Sequence, residues 1–182
     1  MRCFFLGVLS HAVPYPEFVR GDGDGWVMSD TGGLFWGRHG AAGVLLRAPL
    51  PDGSRVVLLQ HRAVWSHQGG TWGLPGGARD SHETAEETAV REAREEAGLV
   101  AEHVIVWAAV VTASASGSHW TYTTVIADAP HPLDTMANHE SAELRWVDEE
   151  EVGELPLHPG FAASWHRLLE LSRVTPLVQV PR

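Results

Sequence analysis

Glu92, Glu95 and Glu96 stand at i, i+3 and i+4 in an alanine-rich run, a spacing that puts three carboxylates on one helix face within about a 100° arc. Left bare, such a face is unfavourable: like charges one turn apart cost roughly a few tenths of a kcal/mol per pair. Arg91 offsets part of this, since Glu87 and Glu95 each lie one turn away from it. A divalent cation would convert the remaining repulsion into ligation, because magnesium and calcium take carboxylate oxygen. Just upstream lies Pro75-Gly76-Gly77. The glycines let backbone come close to a ligand and the proline fixes the approach, so the carbonyl of Gly76 could complete a metal shell. A glycine turn facing an acidic helix suits metal-assisted attack of water on phosphorus, with a glutamate accepting the proton. An exposed helix laced with i,i+4 pairs has the same spacing, so the three glutamates by themselves admit both readings.

The elements that must hold these groups follow from local pattern. Thr84 and Glu87 form a capping box, the alanine-rich stretch continues to Ala97, and Gly98 supplies the stop. Ahead of this helix, residues 66–80 read as a glycine-rich loop. Ala42 to Arg47 and Arg55 to His61 read as two strands joined by the turn Pro49–Gly53, a hairpin. The β-branched and aromatic runs 103–113 and 120–128 read as further strands, with a Pro/His/Asp loop from Ala129 to His139 and a last strand at Glu143 to Val147. Asp148-Glu149-Glu150-Glu151 reads as the solvated start of a helix, and Phe161 to Leu171 as an amphipathic terminal helix. This order predicts an α/β fold, a mixed β-sheet sandwiched between helices. Asp22-Gly23-Asp24-Gly25 resembles the opening of a calcium loop. However, Trp26 stands at the third ligand position and Gly33 at the twelfth, so a turn and a short strand are expected there.

With 182 residues, the chain has length for one domain with a substantial core. The expected division is an N-terminal extension over residues 1–35, the main domain over 36–175, and a tail over 176–182. A formal net charge of −10 argues against a nucleic acid polymer as partner, since phosphate contacts along a polymer need clustered Lys and Arg. It is compatible with a small phosphorylated ligand bridged to carboxylates through a divalent ion. Cys3 is the one cysteine, which fits a reducing cytoplasm, and the apolar core of residues 1–12 is too short for a usual signal peptide. No run has the length of a membrane span. A cytoplasmic monomer or homodimer is expected.

Gly77, Glu83, Arg91, Glu92, Glu95, Glu96, Gly98 and Leu99 together resemble the signature of the Nudix hydrolase family. Flanking segments extend the resemblance toward MutT-type, 8-oxo-dGTP diphosphatase-like proteins of actinobacteria: Gly21–Trp26, the loop from Ser66 to Arg79, and Leu155–Phe161. The resemblance implies a Nudix fold and Mg²⁺, or Mn²⁺, held by Glu92, Glu95, Glu96 and the Gly76 carbonyl. It implies that Arg91 orients the glutamates and that Glu83 braces the junction of loop and helix. The catalytic base in this family varies between helix and loop, so Glu95 and Glu92 share candidacy with Glu140, which is favoured over Glu143 because a loop residue has freedom to reach the metal.

For the substrate, Arg62 at a strand end is a candidate phosphate grip. Trp72 and Leu74 are candidate walls of a base pocket, with core packing the competing role. His158 falls where MutT-like proteins contact the base, and His61 and His67 are weaker candidates. The expected reaction is cleavage of a nucleoside triphosphate, 8-oxo-dGTP among them, to monophosphate and pyrophosphate. Hydrolysis of ADP-ribose or another conjugate competes with it, but Ala113–Gly117 lacks the proline or tyrosine of those branches. A non-catalytic nucleotide-binding regulator is a third reading, disfavoured because the glutamates are all retained.

Overall fold

The computed structural model describes residues 21–174, with the Val174 side chain left aside. Expectations for Cys3, the first twenty residues and the tail fall outside that range. Among the described residues eleven strands and α-helices follow one another: β1 (Trp26–Met28), β2 (Leu34–Trp36), β3 (Ala41–Pro49), β4 (Arg55–Arg62), β5 (Trp72–Gly73), β6 (Gly76–Ala78), α1 (Ala85–Ala97), β7 (Ile105–Ser114), β8 (Thr121–Asp128), β9 (Ser141–Asp148) and α2 (Pro159–Val174). Among the described residues, no helix is long and apolar enough to cross a membrane.

The central sheet runs β5-β4-β3-β8-β7, with β6 also on β3 and β9 also on β4. β3 and β8 are parallel over Ala41–Arg47, and the other pairings are antiparallel, so the sheet is mixed as expected. Its central strand β3 is buried on both faces, and so is the end of β8, because helices cover both sides there. Along β3, Ala42, Val44, Leu46 and Ala48 point toward α1, whereas Leu45 joins Val57, Leu59 and Ile126 under α2. Ala89, Ala93 and Ala97 are fully buried one turn apart, and their small side chains let α1 lie close against the sheet. Phe161, Trp165 and Leu168 of α2 close the opposite face.

Helix α1 starts and stops where its sequence says. The Thr84 side chain accepts from the Glu87 N–H, Glu87 reaches back to the Thr84 N–H at 2.8 Å, and Gly98 ends the helix at φ 68°, a left-handed conformation that glycine adopts without steric cost. Such a cap contributes about 1 kcal/mol.

Several expectations change. The acidic run 148–151 does not open a helix: a 3-10 turn at Val152–Glu154 ends at an extended Leu155. Leu155 precedes Pro156, and residues before proline are biased away from the helical region. Nor is the run wholly solvated, since Glu149 is buried and its N–H bonds to the Arg55 carbonyl. Its carboxyl is raised by burial, against Arg47, Arg55 and Arg173. The hairpin of β3 and β4 is paired only from Arg47–Pro49 to Arg55–Val57, after which the two strands take other partners. The loop 66–80 contains both β5 and β6. The boundary drawn at residue 36 falls within β2, whose partner β1 follows the turn at Asp22–Gly25. The inner face of this hairpin, Val27 and Phe35, packs on Ala41, Ala115 and Trp120.

A buried ion pair links the central strands. Arg47 Nη2 lies 2.7 Å from Asp128 Oδ1, the guanidinium covers the Trp107 ring, and Nη1 donates to the Ser172 carbonyl in α2.

Candidate metal and phosphate site

Short strand β6 lies against β3 with Gly43 opposite Gly76, and this placement brings the glycine turn under α1. A Cβ on Gly76 would come within 2.5 Å of the Ala42 carbonyl oxygen and the Gly43 Cα. A Cβ on Gly77 would come within 2.4 Å of a Glu92 carboxylate oxygen. Gly76 is therefore required by contact with backbone, whereas Gly77 faces the end of the Glu92 side chain. Gly76 meets the cluster through its N–H, which donates to Glu96 Oε2 at 2.8 Å.

Arg91 sits at the centre of a carboxylate network. Its Nε and Nη2 bond the two oxygens of Glu83 at 2.6 and 3.0 Å, Nη1 bonds Glu92 at 2.8 Å and Glu95 at 3.4 Å, and Nη2 also reaches the Ala78 carbonyl at 3.0 Å. Glu83 additionally accepts from the Asp80 N–H and the Thr88 hydroxyl, joining loop to helix. Glu87, the other residue one turn from Arg91, is instead engaged by the capping box. Hydrogen bonds from Arg91 hold the Glu83 carboxyl down to about 2 despite burial.

Glu92 and Glu96 differ from Glu83. Burial, with Glu95 and Glu140 adding to it and Arg91 opposing it, raises the Glu92 carboxyl to about 7. Burial likewise raises Glu96 to about 8, with Glu92 and Glu140 adding to it and the Gly76 N–H and Gln60 opposing it. Two desolvated carboxyls that repel one another are a donor set suited to a hard divalent cation, which would neutralise both. Glu95 is half exposed at the rim.

Glu140 is brought to this cluster by loop contacts with the end of α1. Met136 N–H donates to the Ala97 carbonyl and Asn138 to the carbonyls of Glu95 and Glu96, while Asn138 Oδ1 accepts from the Glu140 N–H. Glu143 is instead engaged with Arg145 at 2.8 and 2.9 Å.

The nucleotide-side candidates divide. Trp72 and Leu74 are buried in the core under α2, and Trp72 is further covered by a stacked His61 at 4.7 Å and by Arg145 at 4.7 Å. Their side chains thus take the packing role and wall no open surface here. Arg62 follows a register shift in β4 and donates to the His67 carbonyl at 3.1 Å. His158 is half-buried, its N–H on the Trp72 carbonyl and its Nδ1 accepting from Gly160. Burial, then Arg62 and His67, lower its pKa.

Sequence reading missed Tyr122, whose hydroxyl lies over Gly43, where a Cβ would approach it to within contact distance. Burial raises this phenol, Glu96 and Glu92 add to the rise, and Arg62 opposes it, so Tyr122 lies within electrostatic reach of both the acidic face and Arg62. No short-range pattern in the sequence announces that position. Oxygens and nitrogens of Asp22, Asp80 and His82 also approach one another within 4.8 Å. Asp22 there accepts two bonds from Ser81, and Asp80 accepts from the Gly23 N–H, so these carboxylates latch the segment before β1 to the loop before α1.

The mixed sheet between two helices and the capped acidic helix behind a glycine turn define a Nudix hydrolase, and the chain belongs to that family: residues 37–169 match the family described as the NUDIX domain. The chain is 69% identical over 168 residues, 91% of its length and 77% of the relative's, to a Mycobacterium tuberculosis protein named "Putative 8-oxo-dGTP diphosphatase 3". It is 40% identical over 160 residues to a Bifidobacterium longum "Nucleoside triphosphate pyrophosphatase/Nudix hydrolase fusion protein", covering 85% of this chain and 33% of that one. Among solved structures, a Nudix hydrolase from M. smegmatis, RenU, superposes with a TM-score of 0.84 at 66% identity, covering 87% of this chain and all of that one.

Proposed function

We propose that this chain is a Mg²⁺-dependent nucleoside triphosphate pyrophosphohydrolase, with Mn²⁺ able to substitute, that converts 8-oxo-dGTP to its monophosphate and pyrophosphate. The observation that carries this reading is the 69% identity, along nearly the whole chain, to the mycobacterial protein of that name. The carboxylate geometry supports it. Glu92, Glu95, Glu96 and the Gly76 carbonyl are the proposed metal ligands, and the ion would supply charge neutralisation of the phosphates. Arg91 holds Glu92 and Glu95 in place while its bonds to Glu83 and Ala78 fix its own position. Glu140 accepts the proton of the attacking water, since its loop carries the carboxylate within electrostatic reach of Glu92 and Glu96. Arg62 and His158 are the proposed contacts to the nucleotide. The proposed partner is a small nucleotide.

The test is a panel of 8-oxo-dGTP, dGTP, dCTP and ADP-ribose incubated with Mg²⁺, with products separated by anion exchange. Pyrophosphate from 8-oxo-dGTP at a kcat/KM well above that for dGTP is the expected result. AMP from ADP-ribose, with the triphosphates untouched, would overturn the reading.

A further inference from the structure

Hairpin β1–β2 precedes the stretch matched to the family, yet one of its residues meets the side chains that flank Arg62. Trp26 is half exposed, with its ring edge-on to Trp36 at 5.1 Å and to His67 at 5.7 Å. His67 in turn lies 6.4 Å from His158, and its carbonyl accepts from Arg62. The hairpin is not a loose arm: Trp120 Nε1 donates to the Trp36 carbonyl at 2.9 Å, Gly37 N–H to the Gly25 carbonyl at 2.8 Å, and Val27 and Phe35 are packed inward. An indole is thus fixed at the surface at the end of a row formed by Trp26, His67, His158 and Arg62.

We infer that Trp26 is a wall of the nucleobase subsite, offering its ring to the purine of the bound nucleotide; this rests on the nucleotide-hydrolase reading above. Three features argue for that occupant. A planar heterocycle gains from stacking on an indole, which is tolerant of substitution on the base. The Arg62 guanidinium, anchored on the His67 carbonyl, suits the carbonyl oxygens of an oxidised guanine. Arg62 ends β4, and the next residue, Ala63, donates its N–H to the Glu140 carbonyl at 2.9 Å, so a base on the row has its phosphates on the side of the carboxylate cluster. His158, with its pKa lowered, stays neutral at physiological pH and adds a ring face rather than a charge.

The probes are dGMP and inorganic pyrophosphate, each titrated calorimetrically into the full chain with Mg²⁺. Trp26→Ala is expected to weaken dGMP about tenfold, Trp26→Phe to recover most of the loss, and pyrophosphate affinity to stay unchanged in both. In turnover of 8-oxo-dGTP, KM should rise more than kcat falls. An unchanged dGMP affinity in a folded Trp26→Ala protein overturns the inference, as does a parallel loss for dGMP and pyrophosphate, which would mark a structural role. Failure of wild type to bind dGMP overturns it too. Should wild type bind dGMP in a Trp26-dependent manner but hydrolyse no triphosphate, the base wall stands and the hydrolase reading falls.

Discussion

The backbone N–H of Gly76 donates to Glu96 Oε2 at 2.8 Å, so the glycine turn and the acidic helix are joined through a carboxyl that burial keeps protonated up to about pH 8. Glu96 is therefore held in position before any cation arrives.

Glu96→Gln tests this arrangement. The amide oxygen retains the bond from Gly76 but cannot ligate as an anion, so kcat should fall by about two orders of magnitude or more, above the 10–100-fold typical of residues one shell further out. The metal-free variant should melt higher than wild type at about pH 9, above the Glu96 value, because the buried charge is gone. Turnover retained with unchanged Mg²⁺ dependence would refute the ligand assignment.

Stability should depend on pH with opposite signs at the two kinds of glutamate. Glu92 and Glu96 are raised from 4.5 to about 7 and about 8, so their contribution is complete below the unfolded value and lost as pH rises through those values. Metal-free protein should lose melting temperature between roughly pH 5 and pH 9, and Mg²⁺ should restore it by removing the repulsion. Thermal unfolding in EDTA and in Mg²⁺ across that range decides the matter; a melting temperature that climbs in EDTA would contradict it.

Glu83 works the other way. Its carboxyl is lowered to about 2, so the bond to Arg91 contributes fully above 4.5 and is lost as pH falls through about 2. Arg91→Ala strands a mostly buried Glu83 and should cost about 2–3 kcal/mol, less than a fully buried pair because Arg91 is partly exposed. Urea unfolding at pH 7 measures this. A cost below about 0.5 kcal/mol would mean the pair behaves as a surface contact.

The two glycines should separate stability from activity. A Cβ at Gly76 meets backbone, so Gly76→Ala should destabilise the fold by about 1–3 kcal/mol. A Cβ at Gly77 meets the movable end of Glu92, so Gly77→Ala should leave the melting temperature nearly unchanged and lower kcat by displacing that carboxylate. Equal losses of stability in both would show that the Glu92 end cannot yield.

What could be read in advance had short-range causes. Thr84, Glu87 and Gly98 specify α1 within its own residues, and the apolar runs specify β3, β4, β7 and β8. Strands β5 and β6 are two and three residues long and owe their form to partners elsewhere in the chain, so glycine-rich sequence gave only a loop. Arg91 shows the same limit: helical spacing offered it Glu87 and Glu95, whereas tertiary folding added Glu83 and the Ala78 carbonyl and the cap engaged Glu87. Glu149 looked solvated among like charges, but β4 and β9 draw it inside. For Trp72 and Leu74 the sequence admitted both a pocket wall and core packing, and α2, distant in sequence, packs over them.

The brief pairing of β3 with β4 has a further consequence. From Arg47–Pro49 the sheet opens into two leaves, one carrying β3, β6, β8 and β7 and the other β4, β5 and β9. The acidic helix rides on the first leaf, while Arg62 belongs to the second. A ligand touching both would act as a stitch across the open end of a fold whose spine is only three residue pairs deep. Occupancy should then slow amide exchange in β5 and β6 more than in β7, which belongs to one leaf alone.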